Sequence, residues 1–144
     1  MRIGVLVDRP QSADYIQIAF TVAGHQVKIF RDAQSFFTTL QAAQDNTTKV
    51  PYDLALIDLH LPRHLFEGKI VARIHRMIGP STLPMIITPA RGASALKLVR
   101  MSLPNVIVLS RPFTAKTLLQ LVEALDGARE DHAVSHDQAG QDLF

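Results

Sequence analysis

Four polar side chains in this sequence stand at or just beyond the ends of short apolar segments, where they could take part in phosphoryl chemistry. They are Asp8, Asp58, Thr88 and Arg111. A carboxylate can attack phosphorus and form an acyl phosphate, and a second carboxylate suits Mg²⁺, which prefers oxygen ligands. A hydroxyl and a cation would then bind the phosphoryl oxygens. If the four side chains lie together, they predict a site for a phosphoryl group.

The segment that ends in Asp58 is the centre of this prediction. Residues 54–57 form a continuous apolar run that is too short for a helix and is bounded by turn residues. This pattern is typical of a strand that is buried on both faces of a parallel sheet. In open α/β sheets, ligands collect just outside the carboxyl ends of the strands. We therefore expect Asp58 to be the main functional residue.

The other apolar segments alternate with helical patterns and predict five strands and five helices. The predicted strands cover residues 2–7, 25–30, 54–57, 83–88 and 105–109. Short strand–loop–helix units require right-handed crossovers, which place helices on both faces of a parallel sheet. The predicted fold is therefore an α/β three-layer sandwich of the flavodoxin-like type, with a five-stranded parallel sheet.

The length and composition of the chain narrow its function class. At 144 residues the chain fits one domain. Gly127 is predicted to end the last helix, so we expect a folded domain over residues 1–127 and a flexible tail or linker over 128–144. The absence of cysteine excludes disulfides and thiolate chemistry. A net charge of +2 gives no argument for nucleic-acid binding. The first apolar run is too short for a signal peptide or a membrane span, so we expect a cytoplasmic location.

Over residues 1 to about 127, the order and spacing of these segments resemble the receiver domain of two-component response regulators. The resemblance rests on Val7-Asp8, Ile57-Asp58-Leu-His-Leu-Pro62, Ile87-Thr88-Pro-Ala90 and Arg111-Pro112-Phe113. It implies that a histidine kinase or another signalling protein is the partner and that Asp58 accepts a phosphoryl group.

The resemblance also implies roles for the neighbouring residues. Mg²⁺ would be held by Asp8, Asp58 and the backbone carbonyl of His60, and Thr88 and Arg111 would bind the phosphoryl oxygens. This would bias the face made by the fourth helix, fifth strand and fifth helix toward a partner or a second copy of the chain. We expect no enzymatic activity beyond the gain and loss of this phosphoryl group.

Three substitutions indicate an atypical receiver. The acidic pair of the family is reduced to Asp8 followed by Arg9, the lysine of the family is Arg111, and its switch aromatic corresponds to Val108. If Arg9 takes the place of a metal ligand, the affinity for Mg²⁺ should fall. Its guanidinium could even replace the metal by pairing with Asp58.

The residues leave other interpretations open. In one, the domain is a pseudo-receiver that works without phosphorylation as an interaction or dimerisation module, with Arg9 and Arg111 locked against Asp58 and Asp8. Weak or absent Mg²⁺ binding would mark this version. Taken singly, the two aspartates are also common turn residues, Thr88 suits a strand end, and Arg9 suits an exposed position. A small hydrolase or nucleotide-binding enzyme is disfavoured, because the sequence has no Ser/His/Asp order, glycine-rich loop or metal motif.

Overall fold

Five parallel strands form one sheet in the order β2-β1-β3-β4-β5 in the computed structural model of this chain. The structure describes residues 1–61, 67–90 and 92–142, with side chains as far as residue 128. The strands are β1 (Arg2–Val7), β2 (Gln26–Phe30), β3 (Leu54–Asp58), β4 (Met85–Ile87) and β5 (Val106–Val108). The predicted five-stranded parallel sheet is confirmed.

The register of the strands brings their carboxyl ends to one edge of the sheet. Val7 of β1 is level with Asp58 of β3, and Ile57 is level with Ile87 of β4. Ile87 is in turn level with Val108 of β5. The chain turns back between β1 and β3, because β2 lies on one side of β1 and every later strand lies on the other. The edge at this reversal point is where open α/β sheets place their ligand sites.

Four helices connect these strands: α1 (Pro10–Val22), α2 (Ala33–Asp45), α3 (Glu67–Ile78) and α4 (Ala93–Met101). Pro10 occupies the first turn of α1, where its missing N–H costs nothing. Asp32 caps α2 by accepting a hydrogen bond of 2.8 Å from the backbone N–H of Ser35. Gly79, with a φ of 87°, follows the end of α3.

The side chains of the strands alternate between two apolar layers. Leu6, Ile57 and Ile87 belong to a buried cluster with α2, α3 and α4. The intervening residues, such as Val5 and Leu56, point to the opposite face. On α1 the buried residues are Ala13, Ile16 and Phe20. The step from β1 to β2 crosses the sheet in the opposite direction to the steps from β3 to β4 and from β4 to β5. Because each crossover between parallel strands is expected to be right-handed, α1 lies on this second face.

Three predicted strands are longer than the observed ones; the second begins one residue later than predicted, at Gln26, and the fourth and fifth differ more. The fourth was predicted over residues 83–88 and the fifth over 105–109, whereas the structure has only Met85–Ile87 and Val106–Val108. Pro84 has no N–H to give to a ladder, so β4 begins only after it. Asn105 adopts a φ of 60°, which is incompatible with an extended strand.

The chain divides into two compact units, Met1–Phe113 and Thr114–Phe144. The second contains α5 (Ala115–Asp142), which Thr114 caps: its hydroxyl accepts a hydrogen bond of 3.1 Å from the backbone N–H of Thr117. The prediction that Gly127 ends this helix is wrong, because the helix continues to Asp142. One glycine inside a helix costs only about 1 kcal/mol, and the sequence beyond it contains three Ala and no Pro. Over the part of the chain that the structure describes, no helix is long and apolar enough to cross a membrane.

Candidate phosphoacceptor site

Asp58 lies at the carboxyl end of β3 and is only 2% exposed. It reaches this position because the apolar run Leu54–Asp58 is buried along its whole length in the centre of the sheet. A carboxylate that is removed from water in this way needs partners. Two other sequence-predicted residues, Thr88 and Arg111, supply them.

Thr88 follows β4 and is completely buried. Its backbone N–H donates to the carbonyl of Ile57 at 3.0 Å, which extends the ladder between β3 and β4 by one residue. This fixes the hydroxyl next to the neighbouring strand end, where it donates a hydrogen bond of 2.6 Å to Oδ1 of Asp58. The predicted proximity of these two residues is therefore observed.

Arg111 is held over the same carboxylate by backbone pairing beyond β5. Its N–H donates to the carbonyl of Pro89 at 2.8 Å, and the residue forms an isolated parallel bridge with Ala90. Nη1 of Arg111 lies 3.9 Å from Oδ1 of Asp58, close enough for an ion pair but too far for a hydrogen bond. Nη1 is buried, and among the described residues it has no hydrogen-bond partner. Arg111 therefore has a donor to offer in the immediate vicinity of Asp58.

Asp8 follows β1 and is bound by His60 rather than by Asp58 or Arg9. The backbone N–H of His60 donates to Oδ2 of Asp8 at 2.9 Å, and Nδ1 of the imidazole lies 3.0 Å from Oδ1. Burial raises the pKa of Asp8, but the hydrogen bonds from the side chain and backbone of His60 outweigh this, so the pKa lies below its usual value. Asp8 is therefore a carboxylate at neutral pH.

Sequence reasoning missed two side chains at this edge. It considered only the backbone carbonyl of His60, whereas the imidazole is the direct partner of Asp8. It also missed Arg31, whose Nε and Nη2 donate to the carbonyls of Val7 and Asp8 at 3.2 and 3.0 Å. Arg31 follows β2 directly, so its place after a strand next to β1 is the signal that could have found it.

Two other residues of the predicted site do not join this cluster. Arg9 is exposed at the start of α1, and the described residues include no ion pair between it and Asp58. Val108, at the position of the expected switch aromatic, is half-buried in β5. Pro62, which closes the motif around Asp58, lies outside the described residues.

A cavity of about 430 Å³ opens above Asp58 and Arg111. His60 and Arg111 line its polar end, together with Asp58. The remaining walls are largely apolar and come from α1 and from the segments that follow β4 and β5: Ser12, Tyr15, Ile16, Ala90, Pro112 and Phe113. A concave site with a few convergent polar groups in an apolar wall is the usual form of a ligand site.

The donor atoms do not fit the Mg²⁺ that the resemblance implies. Mg²⁺ requires a near-octahedral set of oxygens, in which carboxylates usually supply one or two ligands. Here both oxygens of Asp8 accept hydrogen bonds from His60, and Oδ1 of Asp58 accepts one from Thr88. Within the described ranges, no three His, Cys, Asp or Glu side chains are grouped so that they could hold a metal ion. The arrangement is one of carboxylates paired with protein N–H and O–H groups.

Comparisons of the sequence with known proteins give no match, either to a family model or to a curated protein. Comparison of the structure with solved structures does find similar proteins. A CheY-like response regulator receiver domain protein from Methanospirillum hungatei JF-1 has a TM-score of 0.69 at 17% identity, covering 90% of this chain and 97% of that one. The receiver domain of the Francisella response regulator 1452 has a TM-score of 0.66 at 21% identity, and the match covers 86% of this chain and 94% of that one. NtrX from Brucella abortus has a TM-score of 0.68 at 22% identity, and the match covers 93% of this chain and 28% of that one.

The sheet order, the five helices and these similarities define the fold. The chain has the flavodoxin-like fold of response regulator receiver domains, as the sequence predicts. NtrX is similar over only part of its length, so the same fold occurs there within a longer protein.

Proposed function

We propose that this chain is a signalling receiver that accepts a phosphoryl group on Asp58 and then presents a changed surface to a partner. One observation supports this most strongly. The buried carboxylate of Asp58 lies 3.9 Å from Nη1 of Arg111, a buried donor with no hydrogen-bond partner among the described residues. A phosphoryl group on Asp58 would bring oxygens within reach of that donor.

The transfer forms one bond and breaks one. Oδ2 of Asp58 attacks the phosphorus of a phosphohistidine on a partner kinase, and a P–O bond forms as the P–N bond breaks. The electron pair of that bond returns to the imidazole nitrogen of the kinase, and the imidazole leaves as a neutral group because its other ring nitrogen carries a proton. Arg111 and the hydroxyl of Thr88 stabilise the charge on the transferred oxygens, so the hydrogen bond of Thr88 moves from Oδ1 of Asp58 to the phosphoryl group.

Movement of Thr88 connects the site to a surface. Thr88 stands between β4 and the segment that leads into α4, so a shift of its hydroxyl toward the phosphoryl group displaces the start of that segment. Leu96 and Val99 of α4 are 56% and 60% exposed, so this helix has apolar side chains that a partner could cover. We propose that a partner protein or a second copy of the chain binds here.

A second function, that of a phosphorylation-independent interaction module, is favoured by a different observation. Three of the four oxygens of Asp8 and Asp58 already accept hydrogen bonds from His60 and Thr88. A carboxylate cluster that is satisfied in this way can serve simply as part of a rigid scaffold. In this version the exposed surface of α4 binds its partner without any change at Asp58.

A titration with beryllofluoride, a phosphoryl mimic, tests the proposal against this alternative. The ligand is added with and without Mg²⁺, and amide NMR follows the folded protein, with fluoride alone as the control. Saturable shifts at Asp58, Thr88 and Arg111 that are lost in Asp58→Ala support the phosphoacceptor site. A folded protein that shows no shift under either condition favours the phosphorylation-independent module.

A further inference from the structure

The side chain of His60 contacts Oδ1 of Asp8, one of the two carboxylate oxygens through which Asp8 could bind a cation. An ionised carboxylate can only accept hydrogen bonds, so the 3.0 Å contact between Nδ1 and Oδ1 requires that Nδ1 carries the proton. The backbone N–H of the same residue holds Oδ2 at 2.9 Å. A single residue thus directs protons at both oxygens of Asp8.

The carboxylate of Asp58 has a cationic neighbour without a metal ion, because Nη1 of Arg111 lies 3.9 Å from its Oδ1. Arg31 donates at 3.0 Å to the backbone carbonyl of Asp8 and not to its carboxylate. A divalent cation that entered this site would be repelled by the guanidinium of Arg111 and would have to displace the imidazole of His60 from Asp8.

We propose that His60 excludes divalent cations, taking with its imidazole the place at Asp8 that a metal ion would take. The site then works without metal, and the side chain of His60 rather than the neighbouring Arg9 is the main barrier. This inference concerns the same edge of the sheet as the proposed function, but it does not depend on whether Asp58 is phosphorylated.

Substitutions of His60 isolate the side chain, because the backbone N–H that binds Oδ2 remains in every variant. His60→Ala removes the donor to Oδ1. His60→Asn keeps an N–H at nearly the same position as Nδ1. His60→Leu removes the donor but keeps a side chain of similar bulk. If His60→Ala folds poorly, His60→Leu still shows how Mn²⁺ binding changes when the donor is absent. His25→Ala is the matched control, since His25 lies at the amino end of β2, on the opposite edge of the sheet.

Binding of Mn²⁺ at neutral pH, read from the electron paramagnetic resonance signal of the free ion, gives a direct measure. We expect His60→Ala and His60→Leu to bind Mn²⁺ at least about tenfold more tightly than the unmodified chain, the scale on which neighbouring hydrogen bonds alter metal affinity. His60→Asn and His25→Ala should behave like the unmodified chain. Amide NMR of each variant confirms that it is folded.

Two results would overturn the inference. One is an unmodified chain that binds Mn²⁺ as tightly as His60→Ala. The other is a pair of folded donor-free variants in which Mn²⁺ binding does not increase. Neither outcome bears on phosphorylation, so the proposed function and this inference fail separately.

Discussion

The hydroxyl of Thr88 donates a hydrogen bond of 2.6 Å to Oδ1 of Asp58, and both residues are almost completely buried. This bond joins the ends of β3 and β4. It also holds the hydroxyl close to the place where a phosphoryl oxygen would lie. The same contact therefore stabilises the unmodified protein and prepares the site for the transfer proposed above.

Replacing Thr88 with valine tests the energetic role of this bond. Thr88→Val keeps the shape of the side chain but leaves Oδ1 of Asp58 without its donor. Since hydrogen bonds to charged groups contribute about 1.5–3 kcal/mol, we expect the free energy of unfolding in urea to fall by about that amount. Thr88→Ser retains the hydroxyl, so its free energy of unfolding should fall clearly less than that of Thr88→Val. Equal losses in the two variants would show that the hydroxyl has no such role.

A double-mutant cycle measures the interaction between Asp58 and Arg111. Arg111→Met leaves the buried charge of Asp58 without its guanidinium, whereas the same substitution beside Asp58→Asn leaves no charge behind. We expect a coupling free energy of about 1 kcal/mol. This is less than for a tight buried pair, because the two groups are 3.9 Å apart without a hydrogen bond. Additive effects on the free energy of unfolding would mean that the pair does not interact.

The pKa of Asp8 reports on its contact with His60. Hydrogen bonds from His60 hold this pKa below the ordinary value of 3.8 in spite of burial. Asp8 therefore stabilises the fold above that pH, and its contribution is lost as the pH falls through the folded pKa. In His60→Ala the burial remains while the side-chain bond is gone, so the pKa should rise. A ¹³C NMR titration of the carboxyl group measures this; an unchanged pKa would mean that the imidazole contributes nothing.

Alanine substitution of Gly127 tests the continuation of α5. A Cβ at this position meets nothing within 4 Å. In the interior of a helix, Gly127→Ala should raise the free energy of unfolding by about 0.5–1 kcal/mol. Gly24→Ala is the contrasting control, because its open surroundings are combined with a φ of +91°, so the substitution should destabilise. Destabilisation by Gly127→Ala would indicate that the helix ends there.

Particular residues show how far the sequence predicts this structure. Asp58 could be placed because the apolar run before it has one structural solution, a strand buried on both faces, and the parallel register then brings Thr88 to it. The position of Arg111 near Asp58 could be predicted in the same way, because Arg111 follows the fifth strand and the ends of parallel strands meet at one edge of the sheet. For His60 and Arg31 the sequence indicates the strand end that each one follows but not the partner of its side chain, because the direction in which a residue points after a strand end is set by contacts across the sheet. The sequence left open whether Arg9 pairs with Asp58 or lies exposed, and as the residue that precedes α1 it lies exposed.

The end of α5 shows a different limit. Glycine is both a helix terminator and a tolerable interior residue, and its effect of about 1 kcal/mol is smaller than the summed preferences of its neighbours. A local signal of this size cannot fix a boundary alone. The expectation of a separate tail over residues 128–144 stays a prediction.

Chemical trapping of a phosphorylated Asp58 tests whether this chain accepts a phosphoryl group at that residue. The folded chain is incubated with phosphoramidate, with and without Mg²⁺, and then reduced with borohydride, which converts an acyl phosphate to an alcohol that mass spectrometry can locate. We expect modification at Asp58 that does not require Mg²⁺ and is absent from Asp58→Asn. Recovery of unmodified Asp58 under both conditions, from protein whose fold is intact, would contradict this expectation.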